Sequence, residues 1–221
     1  MTEEEFKKMA QQLRKPEGED GLKVGKTMNA GNLQMNMQSI KELNATTNEH
    51  ILEIGMGNGF FVKDIIGSDE SIKYTGCDFS PAMIEEASNI NKEFINRGQV
   101  EFNLANAEEL PFKNETFDKV LTVNTLYFWD NITGVFNEIK RVLKPKGELV
   151  ITIRPKDEMD NYPITKYGFK TFNKPDLTTL LAENGFKVIN AFEREEAERE
   201  FAGIKMKDKF IIVRASKSTV T

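Results

Sequence analysis

From His50 onward the chain alternates short apolar runs of strand length with stretches of helical period, and this alternation most restricts its fold. "HILEIG", "SIKYTGCD", "VEFNLA", "FDKVLTVN" and "ELVITI" read as five strands bounded by turn residues. Between them, "GFFVKDII" starts one helix. Ser80 caps the next, with Pro81 at its first position. Its inner face is Met83, Ala87, Ile90 and Phe94, and Gly98 stops it. A further helix carries Ile132, Val135, Phe136, Ile139, Val142 and Leu143 at helical spacing, and "KPKG" turns it into the fifth strand. Asn173 and Pro175 open another helix with Leu177, Leu180 and Leu181 inward and Gly185 past its end. "FKVINAFERE" and "KDKFIIVRAS" close the chain as two strands joined by the charged stretch 194–205.

Strands separated by helices pair in parallel, with helices on both faces of the sheet. The two closing strands have no helix between them and are expected to form an antiparallel pair at one edge. The predicted fold is α/β, a doubly wound, mostly parallel, seven-stranded sheet of Rossmann-like form. It occupies residues 48–216. Residues 1–47 read as an N-terminal helical segment that caps the site. One helix there has Phe6, Met9, Ala10 and Leu13 on its face, and a second has Leu33, Met37, Ile40 and Leu43. Between them "KPEGEDGLKVGK" reads as a Gly- and charge-rich break.

Composition narrows the function classes. The net charge of -5 argues against nucleic acid as a partner, since such binding draws its affinity from phosphate neutralisation. The single cysteine, Cys77, has no partner for an internal disulfide, which fits a reducing compartment. The charged N-terminus lacks the apolar core of a signal peptide, and no apolar run approaches the ~20 residues that span a bilayer. A cytoplasmic protein without a membrane partner is expected.

The loop after the first strand, "EIGMGNGF", places Gly55, Gly57 and Gly59 two residues apart. In open parallel sheets ligands bind beyond the carboxyl ends of the strands, where this loop falls. A dinucleotide site needs G-x-G-x-x-G, and the position of its third glycine is occupied by Phe60. Asp78, which ends the second strand, suits two ribose hydroxyls in a dinucleotide site and in other nucleoside sites alike. A nicotinamide dehydrogenase therefore stays open on these residues alone.

Preceded by the acidic Glu53, the G-x-G-x-G spacing resembles motif I of the class I S-adenosylmethionine-dependent methyltransferases. "CDFSPAMIEEA" resembles that family's following segment, "ANAEELPFKNETFDKVLTVNTLYFWD" its stretch from the third to the fourth strand, and "FNEIKRVLKPKGELVIT" its closing helix-turn-strand. The resemblance covers residues 48–155 and extends to the small-molecule group that includes the quinone-biosynthesis C-methyltransferases. It implies S-adenosylmethionine as cofactor, S-adenosylhomocysteine as product, and no metal. It carries Glu53, Gly55, Met56, Gly57, Gly59, Asp78, Phe79, Asn106, Ala107 and Asn124 into the cofactor site. The loop would wrap the methionine part, Asp78 the ribose, and Phe79 would pack on the adenine. Asn106 stands where the family has an aspartate for the adenine amino group; its carbonyl oxygen accepts without charge.

A sulfonium methyl is already electrophilic, so its transfer needs chiefly in-line alignment of a nucleophile, and the resemblance imposes no catalytic triad. The catalytic residue is open, with Tyr127, Tyr162 and Tyr167 as candidates. The one histidine, His50, reads as a strand-start residue, and Cys77 as buried filler. Leu126, Tyr127, Trp129 and Tyr162 are expected to line an apolar acceptor pocket, with Phe169 and Phe172 nearby. Met28 and Met35 suit an adaptable pocket wall, and Met37 a helix core. "NTLY", Asn124 to Tyr127, half-matches the loop of nucleic-acid amino-methylating members but lacks its prolines. A small-molecule acceptor is expected. The alternative is a cofactor-binding sensor or partner subunit without transfer activity.

Overall fold

The computed structural model describes residues 2–201, 204–206 and 208–218. Three helices come first: α1 (Glu3–Arg14), α2 (Gly18–Gly31) and α3 (Leu33–Leu43). Then follow β1 (His50–Ile54), α4 (Val62–Ile66), β2 (Lys73–Asp78), α5 (Pro81–Ile90), α6 (Lys92–Asn96) and β3 (Val100–Leu104). The second half runs β4 (Phe117–Val123), α7 (Ile132–Val142), β5 (Leu143–Ile153), α8 (Lys156–Met159), α9 (Lys174–Glu183) and β6 (Phe186–Glu195). It ends with β7 (Arg199–Phe201), β8 (Ile204–Met206) and β9 (Lys209–Lys217).

Seven strands form one sheet in the order β3-β2-β1-β4-β5-β9-β6. The first five pair in parallel, and β9 runs antiparallel between β5 and β6. The expected mostly parallel sheet with a closing antiparallel pair is what forms. Strand order reverses between β1 and β4, which opens a crevice at their carboxyl ends. The expected link over 194–205 instead contains an antiparallel hairpin, β7 with β8; residues 202, 203 and 207 lie outside the described residues.

The core has two halves because neighbouring residues of a strand point to opposite faces. Leu52, Val120 and Ile151 join one cluster with Val135, Phe136 and Ile139 of α7 and Leu177 and Leu181 of α9. Ile51, Leu121 and Val150 join the other with Met35 and Leu43 of α3 and Val62, Ile65 and Ile66 of α4. A strand buried on both faces has no solvated side, so these strands read as largely apolar runs, and their polar residues Glu53, Thr122 and Thr152 are buried too.

Four local expectations are corrected. The expected break at residues 15–26 is instead largely helix, α2. Its glycines are contact points: a Cβ at Gly21 would fall 2.6 Å from the Pro16 carbonyl carbon, and one at Gly25 3.4 Å from Met83 Sδ. Tertiary contact overrides their poor helix propensity. The inner face of α3 is Met35, Asn36, Ser39 and Leu43, while Leu33 and Met37 are exposed. Ser39 Oγ meets Thr152 Oγ1 of the sheet at 2.7 Å, so a polar residue holds the centre of the stripe. The helix opened by Ser80 breaks at Asn91, whose Nδ2 donates to Gly59 O and Ala87 O, both at 3.0 Å, and Ile90 is exposed. The helix after the glycine loop begins only at Val62.

Candidate active site

The sheet's switch point sets the floor of the site. After β1 the chain turns through Gly55 (φ +71), Gly57 (φ +58) and Gly59 (φ +67), all in the left-handed region that L side chains disfavour. The surroundings give each glycine a different reason. A Cβ at Gly55 would fall 2.3 Å from Thr125 Cγ2 of the β4 loop. One at Gly59 would press on Asn91 Nδ2 at 2.9 Å and Ala87 Cβ at 3.0 Å, so Gly59 faces the helices. Around Gly57 nothing lies within 4 Å.

Asp78 ends β2 beside this loop. Its Oδ2 accepts from Gly57 N at 3.1 Å and its Oδ1 from Ser80 N at 2.9 Å. Burial dominates these bonds and pushes its carboxyl up to about 6. Glu53, buried beneath, accepts the Tyr74 hydroxyl at 2.6 Å, and burial pushes it up to about 7. Two carboxyls thus sit in low dielectric with depressed readiness to ionise, an arrangement that a cationic ligand stabilises.

Above the loop lies a cavity of about 470 Å³. Of the expected cofactor residues, Glu53, Gly55, Met56, Gly57, Asp78, Phe79, Asn106, Ala107 and Asn124 line it, and Gly59 does not. Phe79 keeps 40% of its surface exposed, an aromatic face left open beside Asp78. Asn106 Oδ1 accepts from Glu108 N at 3.1 Å, which leaves one lone pair for a ligand.

Of the expected pocket residues, Tyr127, Trp129 and Tyr162 line the cavity, with Phe128, Met159 and Phe169 beside them. Leu126 is fully buried in the core beneath. Phe172 packs against that core too. Tyr167 lines a separate, smaller cavity with Lys7 and Arg14. Tyr127 donates to Asn124 Oδ1 at 3.0 Å and accepts from the Arg154 backbone N–H. Burial pushes its phenol well above the usual tyrosine range, and its bonds tie the β4 loop to the end of β5. Lys170 Nζ ties the segment after α8 to this loop through the carbonyls of Trp129 and Asp130, at 2.7 and 2.9 Å. His50 lies off the cavity, its Nε2 on Thr75 Oγ1 at 2.8 Å. Cys77 lines it but is buried, and burial pushes its thiol up, which keeps it inert.

The N-terminal helices form the remaining wall through Leu13, Arg14, Val24, Gly25 and Met28. Met28 meets the cavity, whereas Met35 is wholly buried and its Sδ receives Asn124 Nδ2 at 3.3 Å. Arg14 pairs with Asp130, and Ser80 Oγ donates to Pro16 O, so both ends of the α1–α2 junction are tied to the sheet's loops.

One polar cluster was not anticipated. Arg154, just after β5, lies 3.3 Å from Glu196 and 3.6 Å from Asp208, and all three are buried. Tyr162 donates to Asp208 Oδ1 at 2.8 Å. Arg154, Asp208 and Tyr162 line the cavity together. The available signal was Arg154 itself, a charge directly following an apolar strand at the sheet's ligand-binding end.

The residues fit a sulfonium nucleoside. The bare backbone of Gly57 offers a cradle that a Cβ would fill, Asp78 offers free acceptor positions, and Phe79 offers an open ring. Among the described residues no group of three or more His, Cys, Asp or Glu could hold a metal, and no helix is long and apolar enough to cross a membrane.

Residues 52–151 match the family model described as a methyltransferase domain. The chain is 31% identical to the uncharacterized methyltransferase YdaC of Bacillus subtilis, over 61% of this chain and 72% of that protein. It is 36% identical to the demethylmenaquinone methyltransferase of Tropheryma whipplei over 50% of this chain, but spans only 44% of that relative's length. A chain of the complex between the Haloferax volcanii Trm112 methyltransferase activator and a methyltransferase superposes with a TM-score of 0.74 at 15% identity, over 97% of this chain and 98% of that one. That likeness speaks to the fold. Taken with the loop and the cavity, these matches make the chain a member of the class I S-adenosylmethionine-dependent methyltransferases.

Proposed function

We propose that this chain transfers a methyl group from S-adenosylmethionine to a small-molecule acceptor within the cavity. The observation that carries the reading is the joining of two unlike walls in one space. One wall has bare glycine backbone, Asp78, Phe79 and Asn106; the other has Tyr127, Phe128, Trp129, Met159 and Phe169. When bound, the cofactor would supply an electrophilic methyl: the acceptor's nucleophilic atom bonds to that carbon in line as the carbon–sulfur bond breaks, and S-adenosylhomocysteine leaves.

The roles proposed for the residues follow from their chemistry. Gly57 leaves room for the amino-acid end, Gly55 lets the loop pack against Thr125 beside it, and Glu53 and Asp78 supply negative charge for that end and for the ribose hydroxyls. Phe79 stacks on the adenine, while Asn106 and Ala107 border it. Tyr127 fixes Asn124 and the β4 loop, so that acceptor and methyl donor align. Alignment alone lowers a barrier by roughly 7–11 kcal/mol when the bound pose is near-attack. Residues 1–47 act as a cap on the domain at 48–216, excluding water through α1 and α2. No metal has a role in this scheme, and the acidic chain works as a cytoplasmic small-molecule enzyme.

The test is formation of S-adenosylhomocysteine from S-adenosylmethionine across a panel of small phenols, amines and hydroquinones. Turnover with any of them supports transfer. Tight cofactor binding with no turnover across the panel supports instead the cofactor-binding sensor or partner subunit.

A further inference from the structure

We propose that the acceptor carries a hydroxyl or N–H group and that the Tyr162–Asp208 pair recognises it. This rests on the reading of the cavity as a methyl-transfer site and narrows what occupies it. A tyrosine hydroxyl has one proton. Tyr162 gives its proton to Asp208 Oδ1 at 2.8 Å. Arg154, shared with Glu196, places its Nη1 3.6 Å from Asp208 Oδ2 as a cation beside that carboxylate, and an ionised carboxylate only accepts. The proton of Tyr162 is therefore committed to the wall. Tyr162 lines the cavity, and a phenolic oxygen whose one proton is engaged offers a ligand there only lone pairs.

A ligand group facing that oxygen forms a hydrogen bond only by donating one. A hydroxyl or N–H meets this condition; a carbonyl or ether sets acceptor against acceptor. The cluster holds its arrangement because Arg154 is anchored on several sides. Its Nη2 donates to Gly31 O at 3.3 Å and to Asn32 Oδ1 at 3.4 Å, and also meets Glu196 at 3.3 Å. The same cavity is also lined by the apolar Met28, Met159 and Phe169. The acceptor class is accordingly an apolar body bearing a donor group at one end. Sites built to pair with a polar ligand group reject analogues lacking it, because the site's own group is left unpaired.

The test uses 1-naphthol against 1-methoxynaphthalene, titrated calorimetrically into protein saturated with S-adenosylhomocysteine. Wild-type protein is expected to bind the naphthol about tenfold more tightly, the span of one neutral hydrogen bond. In Tyr162→Phe the ratio should fall to about one, while the melting shift with S-adenosylhomocysteine is retained. A second pair, 1-naphthylamine against its N,N-dimethyl form, should show the same preference in wild-type protein and does not depend on the variant folding. An unchanged ratio in Tyr162→Phe, a preference for the capped probes, or no binding of the hydroxyl and amino probes overturns the proposal. Failure of wild-type protein to bind S-adenosylhomocysteine at all overturns the methyl-transfer reading instead, and this proposal with it.

Discussion

Replacing Gly57 by valine separates the cofactor role of the glycine loop from its folding role. Gly57 has φ +58, and a Cβ there meets nothing within 4 Å, because the residue borders the open cavity. The fold therefore loses only the backbone term, about 1–3 kcal/mol for a side chain held in a sparsely populated region. For a domain of this length each kcal/mol lowers Tm by roughly 2–4 °C, so the variant should melt roughly 2–12 °C lower and remain folded at 25 °C. Its two methyl groups, however, occupy the space assigned to the cofactor. S-adenosylhomocysteine at a hundredfold excess over Kd stabilises a binding protein by about 2.7 kcal/mol, a rise of roughly 5–11 °C. Wild-type protein should show that rise, and Gly57→Val should show none. Gly55→Ala is the contrast: its Cβ would fall 2.3 Å from Thr125 Cγ2, so it should destabilise the ligand-free protein more than Gly57→Ala does. Thermal unfolding followed by the fluorescence of the single tryptophan, Trp129, reads all of these states. An undiminished ligand shift in Gly57→Val refutes the assignment of the loop.

Asp78→Ala should weaken S-adenosylhomocysteine binding more than Asn106→Ala does, since hydrogen bonds to a charged group contribute about 1.5–3 kcal/mol and neutral ones about 0.5–1.5. Equal losses by titration would contradict the ribose role. Because burial raises Asp78 to about 6 and Glu53 to about 7, both above their unfolded values, the folded protein holds extra protons between pH 4 and 7. Stability of the ligand-free protein should therefore fall as pH rises through that window, visible as a declining Tm. Cofactor affinity should move the other way, rising about tenfold from pH 5 to pH 8 if only the ionised form of Asp78 binds; a flat profile by titration would contradict that linkage. Tyr127→Phe should lower stability by about 0.5–1.5 kcal/mol and leave the pH dependence of turnover unchanged, whereas a shifted pH profile would make Tyr127 a proton carrier.

How much of this was legible in the sequence depended on how each residue is buried. "HILEI" and "KVLTV" announce their strands because both faces are covered, so apolar residues dominate the runs and the polar ones within them, Glu53 and Thr122, are buried as well. The glycine spacing and Asp78 locate the crevice because loops at the carboxyl ends of parallel strands converge on the switch point. Elsewhere the local signal and the tertiary contact disagree. Gly21 and Gly25 look like helix breakers, yet they are the places where α2 approaches Pro16 and Met83. Leu33 and Met37 look like an inner face, but the sheet takes Met35 and Ser39. Arg154, Glu196 and Asp208 give no local signal of a cluster, because Arg154 lies 42 residues or more from either carboxylate in the chain. The same long range hides the difference between Tyr162, which faces the main cavity, and Tyr167, which does not.

The central claim is that the cavity above Gly57 and Asp78 holds a sulfonium nucleoside. Calorimetric titration of the whole chain at pH 8 with S-adenosylmethionine, S-adenosylhomocysteine and NADH tests it most directly. One site per chain for each of the first two ligands, with no heat from NADH, is the predicted result. Absence of binding to both at millimolar concentration, or binding of NADH in their place, would contradict the account.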